Sequence, residues 1–226
     1  MIATLPLLRS RAWAFGWLLA LTLLGAGCAG SKPAVVRESG PVPDFYVVAA
    51  GDTLYTIAWR YRLDYRLLAL ANGIAPPYRI YPDQKLRLTE HVIAVHRPQR
   101  IEKIASDIEW RWPTGAEIRN EYSRRNTGID FDLEQLDRVR ASAAGEVVYA
   151  GAGLDTYPYL IILRHDDHYL SAYSLQRKPK VREGARVKAG ALLADTVGRT
   201  EAGGTLHFEI RTDGTAVDPR SLLGPR

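Results

Sequence analysis

Residues 159–173 read Tyr159-Leu160-Ile161-Ile162-Leu163-Arg164-His165-Asp166-Asp167-His168-Tyr169-Leu170-Ser171-Ala172-Tyr173. Two apolar, β-favouring runs are separated by Asp166-Asp167, so the stretch reads as two strands joined by a tight turn. The same grammar continues outward on both sides. Upstream, Glu146-Val147-Val148-Tyr149-Ala150 is bracketed by Gly145 and Gly151. Downstream, Glu183-Gly184 and Ala189-Gly190 mark turns between Val181, Val187 and Leu192, and Leu206-His207-Phe208-Glu209-Ile210-Arg211 alternates apolar with polar. Short β runs with turn residues between them predict an antiparallel sheet or sandwich over residues 110–226.

Residues 45–90 follow a different rule. Phe45-Tyr46-Val47-Val48 is β-rich and runs into Gly51-Asp52, a turn signal, after which Thr53 can cap a helix. Leu54, Ile57, Ala58 and Tyr61 recur at helical spacing. Leu67, Leu68, Leu70 and Ala71 predict a second helix that stops at Asn72-Gly73, and Lys85-Leu86-Arg87-Leu88 alternates as a strand. The expected order is strand, helix, helix, strand. The fold class expected for the whole chain is therefore α+β, a small βααβ unit followed by a mostly-β domain. Residues 91–109 between them read as a connector; Ile101, Ile104, Ala105 and Ile108 suggest a short helix there, and Trp110 and Trp112 the start of a strand.

The N-terminus reads as an address. Arg9 and Arg11 precede an uncharged apolar run, Ala12 to Leu24, too short for a typical membrane span. The small residues Gly25, Ala26 and Gly27 then lead into Cys28, the single cysteine of the chain. Pro33, Pro41 and Pro43 punctuate the polar stretch that follows, which is expected to be an extended tether over residues 28–44. The segment before Cys28 resembles a bacterial lipobox, with Gly25 where leucine is usual. The resemblance implies cleavage after residue 27 and lipidation of Cys28, and the lack of an aspartate just after the cysteine implies the outer membrane. Formal net charge is +5, and removing Arg9 and Arg11 with the signal leaves a mildly basic chain. That balance, without interleaved aromatic and basic residues, argues against nucleic acid as a partner.

The pattern Tyr46-Val47-Val48, Gly51-Asp52-Thr53-Leu54, Ile57-Ala58, Leu68, Asn72-Gly73-Ile74, Ile80-Tyr81-Pro82 and Lys85-Leu86 resembles a LysM domain along its whole length. LysM domains bind glycans containing N-acetylglucosamine, so the resemblance implies peptidoglycan as a partner. It places the sugar between Gly51, Asp52, Thr53 and Leu54 on one side and Ile74, Pro76, Pro77 and Tyr78 on the other. On the residues alone, Asp52 and Thr53 serve equally well as turn and cap, and Leu54 as core.

Residues 110–226 resemble the LytM-type zinc endopeptidases, on Gly128-Ile129-Asp130, Gly145 to Gly151, Leu160-Ile161-Ile162, Tyr169 to Tyr173 and Leu206 to Arg211. Active members hold zinc with two histidines and an aspartate and use two further histidines in catalysis. Aligned here, the first ligand falls on Asn126, the aspartate on Asp130 and the last ligand on His207, while the catalytic positions fall on Leu175 and Thr205. A catalytic zinc normally needs three protein ligands and an open water position; an amide is a poor ligand and leucine moves no proton. No catalytic residue, metal or cofactor is therefore expected. There is no Gly-x-Ser-x-Gly and no second cysteine to support nucleophilic catalysis.

Degenerate members of this family activate N-acetylmuramoyl-L-alanine amidases. The resemblance implies a partner groove edged by Asn126, Tyr173, Leu175 and Thr205, more apolar than a live site and suited to an amphipathic helix. Asp130 and His207 are expected to bond to each other, and His165 and His168 to lie on a solvated hairpin turn. Arg177, Lys178, Lys180, Arg182, Arg186 and Lys188 form a basic cluster that reads either as a solvated face or as a steering surface. The function expected is a peptidoglycan-binding, lipid-anchored activator of a periplasmic amidase in daughter-cell separation. The alternatives are a weak metal-dependent endopeptidase and a passive tether between outer membrane and wall.

Overall fold

A computed structural model describes residues 42–88, 107–134, 136–152, 158–195 and 204–226. The signal segment, Cys28, most of the tether and the proposed helix at residues 101–108, apart from Asp107 and Ile108, lie outside the described residues.

The first unit is built as its sequence predicts. Strand β1 (Phe45–Val47) pairs antiparallel with β2 (Lys85–Arg87), and helices α1 (Leu54–Tyr61) and α2 (Tyr65–Ala71) lie between them in sequence. Thr53 starts α1 through a reciprocal cap: its hydroxyl accepts the Thr56 N–H at 3.1 Å, and the Thr56 hydroxyl accepts the Thr53 N–H at 2.9 Å. Asp64 starts α2 by accepting the Arg66 N–H at 2.7 Å. Asn72 ends α2 and ties it to the sheet, because its side chain donates to Leu68 O (2.8 Å) and Arg87 O (2.9 Å) and accepts the Arg87 N–H (2.7 Å). Leu54, Ile57, Leu68, Leu86 and Leu88 form the buried centre.

The second unit is an antiparallel sheet of β3 (Glu117–Asn120), β4 (Ile129–Leu133), β6 (Gly145–Gly151), β7 (Tyr159–Arg164), β8 (Tyr169–Leu175), β9 (Arg186–Val187), β11 (Gly204–Thr212) and β12 (Thr215–Val217). Its order is β3-β4-β11-β8-β7-β6-β9, with β12 on the far end of β11. Strands β5 (Arg138–Arg140) and β10 (Leu192–Asp195) pair separately, and a short helix α3 (Arg220–Leu223) ends the chain. Trp110 and Trp112 pack partly buried against this core but start no strand, which corrects the expectation from their alternation.

The two faces of this sheet have different coverings. Ile129, Phe131, Ile161, Leu163, Tyr173, Leu175, Leu206 and Phe208 point into one core with Val139 and Leu193. Val148, Tyr149, Leu160, Ile162, Leu170 and Ala172 point the other way and join Tyr55, Ile57, Trp59 and Leu68 of the first unit in a continuous apolar cluster. Strand β8 is buried at every position because both its faces are covered. The two units are also pinned by polar contacts. Arg66 bonds to Asp213, and the Arg211 guanidinium donates to Trp59 O at 2.9 Å while lying 3.5 Å from the Trp59 ring centroid.

Gly128 leads into β4 at a place where no side chain fits. A Cβ there would collide with the Phe208 carbonyl of β11 and approach Glu209 Cγ at 2.9 Å. Gly128→Ala is expected to push β4 away from β11 and to lower stability by about 1–3 kcal/mol. Thermal unfolding followed by circular dichroism should show the lower midpoint; an unchanged midpoint would mean that the strands tolerate separation.

Candidate functional site

Strand β11 carries His207, Glu209 and Arg211 at alternate positions, so all three side chains leave the core and share the face on which the first unit docks. Strand β4 adds Asp130 directly opposite His207 and Asp132 opposite Thr205. The structure thus brings Asn126, Asp130, Thr205 and His207 to one end of this face.

The remaining expected groove residues are not there. Tyr173 and Leu175 sit opposite Phe208 and Leu206 and are 0% and 1% exposed, with their side chains in the opposite core. Tyr173 accepts the Ser142 N–H at 2.7 Å there. The expectation that they edge an apolar groove is therefore corrected. Ser174, not Leu175, is the β8 neighbour of His207, and the groove face is polar: Asn120, Asn126, Asp130 and an Arg119–Asp132 ion pair at 2.5 Å.

His207 is bonded at both ring nitrogens. Nδ1 lies 2.5 Å from Asp130 Oδ1 and Nε2 lies 3.0 Å from Glu209 Oε1. Asp130 Oδ2 accepts from Asn120 (2.9 Å) and from the Asn126 amide nitrogen (3.3 Å). Glu209 is 0% exposed, and it accepts the Thr127 hydroxyl at 2.6 Å and the Arg211 Nε–H at 2.9 Å. The chain of charges runs Asp130, His207, Glu209, Arg211 and ends on Trp59 of the first unit.

Burial alone would strip these groups of charge, yet the partners win. Burial disfavours the imidazolium of His207, but its bonds to Asp130 and Glu209 raise its pKa to about 9. Burial likewise opposes the Glu209 carboxylate, and the Arg211 and His207 charges outweigh it, holding the pKa down to about 2. Asp130 is also held below its usual value: burial opposes the shift and the bond to His207 outweighs it.

This donor set does not fit the zinc of the LytM-type enzymes. Of the three ligand positions one is an amide that points its nitrogen at Asp130, and the histidine has each nitrogen on a carboxylate. Among the described residues no cluster of three or more His, Cys, Asp or Glu side chains is arranged to hold a metal ion. Sequence reasoning missed Glu209, Arg211, Thr127 and Asn120. The signal for the first two was present, since His207, Glu209 and Arg211 alternate with the apolar Leu206, Phe208 and Ile210.

His165 corrects another expectation. Its ring is not solvated but bonded to Ala144 O (2.8 Å) and Ser171 Oγ (2.7 Å), and burial pushes its pKa down to about 4. His168 is half exposed and bonds to Asp213 at 2.9 Å.

In the first unit, Gly51 has φ +86° and Asp52 closes the turn, accepting the Ala49 N–H (2.9 Å) and the Tyr46 hydroxyl (2.6 Å). Gly51, Pro76 and Pro77 are exposed, Asp52, Thr53 and Ile74 are partly covered, and Tyr78 packs edge-on against Tyr55 and Tyr65. Leu54 is 1% exposed and so is withdrawn from any sugar surface.

The fold and site define a class, proteins that join a LysM domain to a peptidase-type domain. Residues 46–89 match the LysM domain and residues 124–219 match peptidase family M23. The chain is 31% identical to a lipoprotein NlpD/LppB homolog of Pseudomonas aeruginosa, over 87% of this chain and 82% of that one. It is 36% identical to the lipoprotein YgeR of Escherichia coli K12, over 92% of each. It is 43% identical to the murein hydrolase activator NlpD of the same organism, over 52% of this chain and 32% of that one. The chain belongs to the NlpD/LppB family of lipoproteins.

The paired shifts predict a pH profile. The His207 pKa is raised, so its stabilisation is full below about 6.5, its unfolded value, and is lost as pH rises through about 9. The Glu209 pKa is lowered, so its stabilisation is full above its ordinary 4.5 and is lost as pH falls to about 2. Unfolding midpoints should be highest between those limits, and His207→Gln should remove the decline between pH 6.5 and 9. The same alkaline slope in the variant would contradict the assignment.

Proposed function

We propose that this chain is an outer-membrane lipoprotein that binds peptidoglycan through its LysM domain and activates a periplasmic N-acetylmuramoyl-L-alanine amidase, without hydrolysing the wall itself. The observation that carries this reading is the state of His207. In a working metallopeptidase the histidine at this position gives a nitrogen to the metal; here both are bonded to carboxylates, and Asn126 and Thr205 stand where two other histidines would be. The name of the E. coli and Salmonella relatives, murein hydrolase activator, supports a regulatory role. The names lipoprotein and outer membrane antigenic lipoprotein support an envelope location and lipidation of Cys28. The glycan is taken up by the Gly51–Thr53 turn and the Ile74–Tyr78 loop, where backbone amides and hydroxyls meet acetamido groups.

The chemistry left on the groove face is recognition. Asp130, Asp132 and the Asn120 and Asn126 amides present acceptors and donors at the end of the sheet that the LysM domain leaves uncovered. An inhibitory segment of the amidase that brings cations or amide groups to this face is held there, which frees the amidase's own active site. The domain limits fit this division of labour: residues 28–44 as tether, 45–90 for the wall, 91–109 as connector and 110–226 for the partner.

Residues 29–226, incubated with dye-labelled peptidoglycan, should release no label alone and should raise release several-fold when a periplasmic amidase of the same organism is added. Asp132→Lys, at a half-exposed position of the same face, should abolish the stimulation and leave wall binding intact. Release by the protein alone that a chelator stops would replace this reading with an endopeptidase. Wall binding with no stimulation of any periplasmic amidase of that organism would replace it with a tether.

A further inference from the structure

The basic cluster between β8 and β10 has no part in the reading above, and its place in the fold gives it one. The segment is ordered by main-chain bonds to the sheet: Gly184 N–H to Val147 O (2.8 Å), Val147 N–H to Ala185 O (2.8 Å) and Lys180 N–H to Leu193 O (2.8 Å). Val181, Ala185 and Val187 turn inward and pack on the core, while Lys180, Arg182, Arg186 and Lys188 are exposed between and beside them. The alternation thus presents Arg182, Arg186 and Lys188 outward, beside Lys180, which pairs with Asp195, and one exposed carboxylate, Glu183.

The segment flanks strand β6. Strand β9 pairs with β6, placing Arg186 opposite Glu146, and β6 also packs against α1 of the LysM domain. Tyr149 of β6 belongs to the apolar cluster of the LysM helices, so this part of β6 lies against the LysM domain. Strand β6 therefore touches both α1, which begins at the Thr53 cap, and the edge strand that carries Arg186. On the LysM side Arg60 is engaged with Asp52 (3.4 Å) and the Tyr46 hydroxyl (2.7 Å).

We propose that the cationic edge at residues 180–188 extends the LysM site and binds the carboxylates of peptidoglycan stem peptides. The ligand has the matching chemistry: neutral N-acetylated sugars along the strand, with peptides bearing free carboxylates branching from it. Bound this way, the LysM turn holds the sugar and the edge of the peptidase-type domain holds the peptide. The proposal rests on the peptidoglycan reading above, and it makes wall binding a property of both domains.

The test compares two ligands on residues 29–226: purified sacculi and a neutral N-acetylglucosamine oligomer. Arg182→Gln, Arg186→Gln and Lys188→Gln together should weaken sacculus binding about tenfold at physiological salt and flatten its salt dependence. Affinity for the neutral oligomer should not change, which also reports an intact LysM domain. Amidating the sacculus carboxylates should remove the difference between wild type and variant. Unchanged sacculus binding by the variant would overturn the extension, as would loss of amidase stimulation with wall binding intact, which would assign the edge to an acidic protein partner. Failure of the wild-type chain to bind either ligand would instead remove the peptidoglycan reading itself.

Discussion

The rest of the molecule is arranged around a carboxylate with no access to water. Glu209 is buried in the middle of the sheet, and an isolated buried charge is costly enough to unfold a small domain. It remains charged because Arg211 stands on one side and His207 on the other, each at 2.9–3.0 Å. Those two cations have further consequences at opposite ends. Arg211 reaches up to the carbonyl and ring of Trp59 and so sets where the LysM domain docks. His207, charged by Glu209, pairs with Asp130 and so sets the form of the groove face. Removing any member leaves the others as uncompensated buried charges, which typically costs about 3–5 kcal/mol.

This arrangement gives the peptidase-type sheet an internal balance of charge at the site. The resemblance to the LytM-type enzymes implies zinc as the cation at such a site. Here the imidazolium of His207 provides positive charge beside Asp130, and the amides of Asn120 and Asn126 bond to the remaining carboxylate oxygen. The face is electrostatically balanced without a cofactor, polar, and left open where the LysM domain does not cover it.

Much of the fold was legible from local chemistry. Thr53 and Asn72 marked helix ends because their side chains cap backbone groups, and the β runs were marked by their turns. What the pattern could not tell was which way β8 faces. A strand covered on both sides shows no polar alternation, so Tyr173 and Leu175 carried no sign that they point away from His207. His165 misled for a related reason: a histidine beside a turn reads as solvated, and only the register of β7 and β8 reveals Ser171 waiting for its ring. The site was half legible. Asp130 and His207 followed from a family motif, whereas Glu209 and Arg211 became meaningful only once β11 was known to run beneath a second domain.

The central claim is that His207 is a doubly bonded imidazolium and not a metal ligand. It is tested most directly by the ¹⁵N resonances of its ring in residues 29–226 near neutral pH, recorded before and after one equivalent of Zn²⁺. Two protonated nitrogens, both unmoved by zinc, are expected. A nitrogen that loses its proton and shifts to a metal-bound position at one equivalent would contradict it.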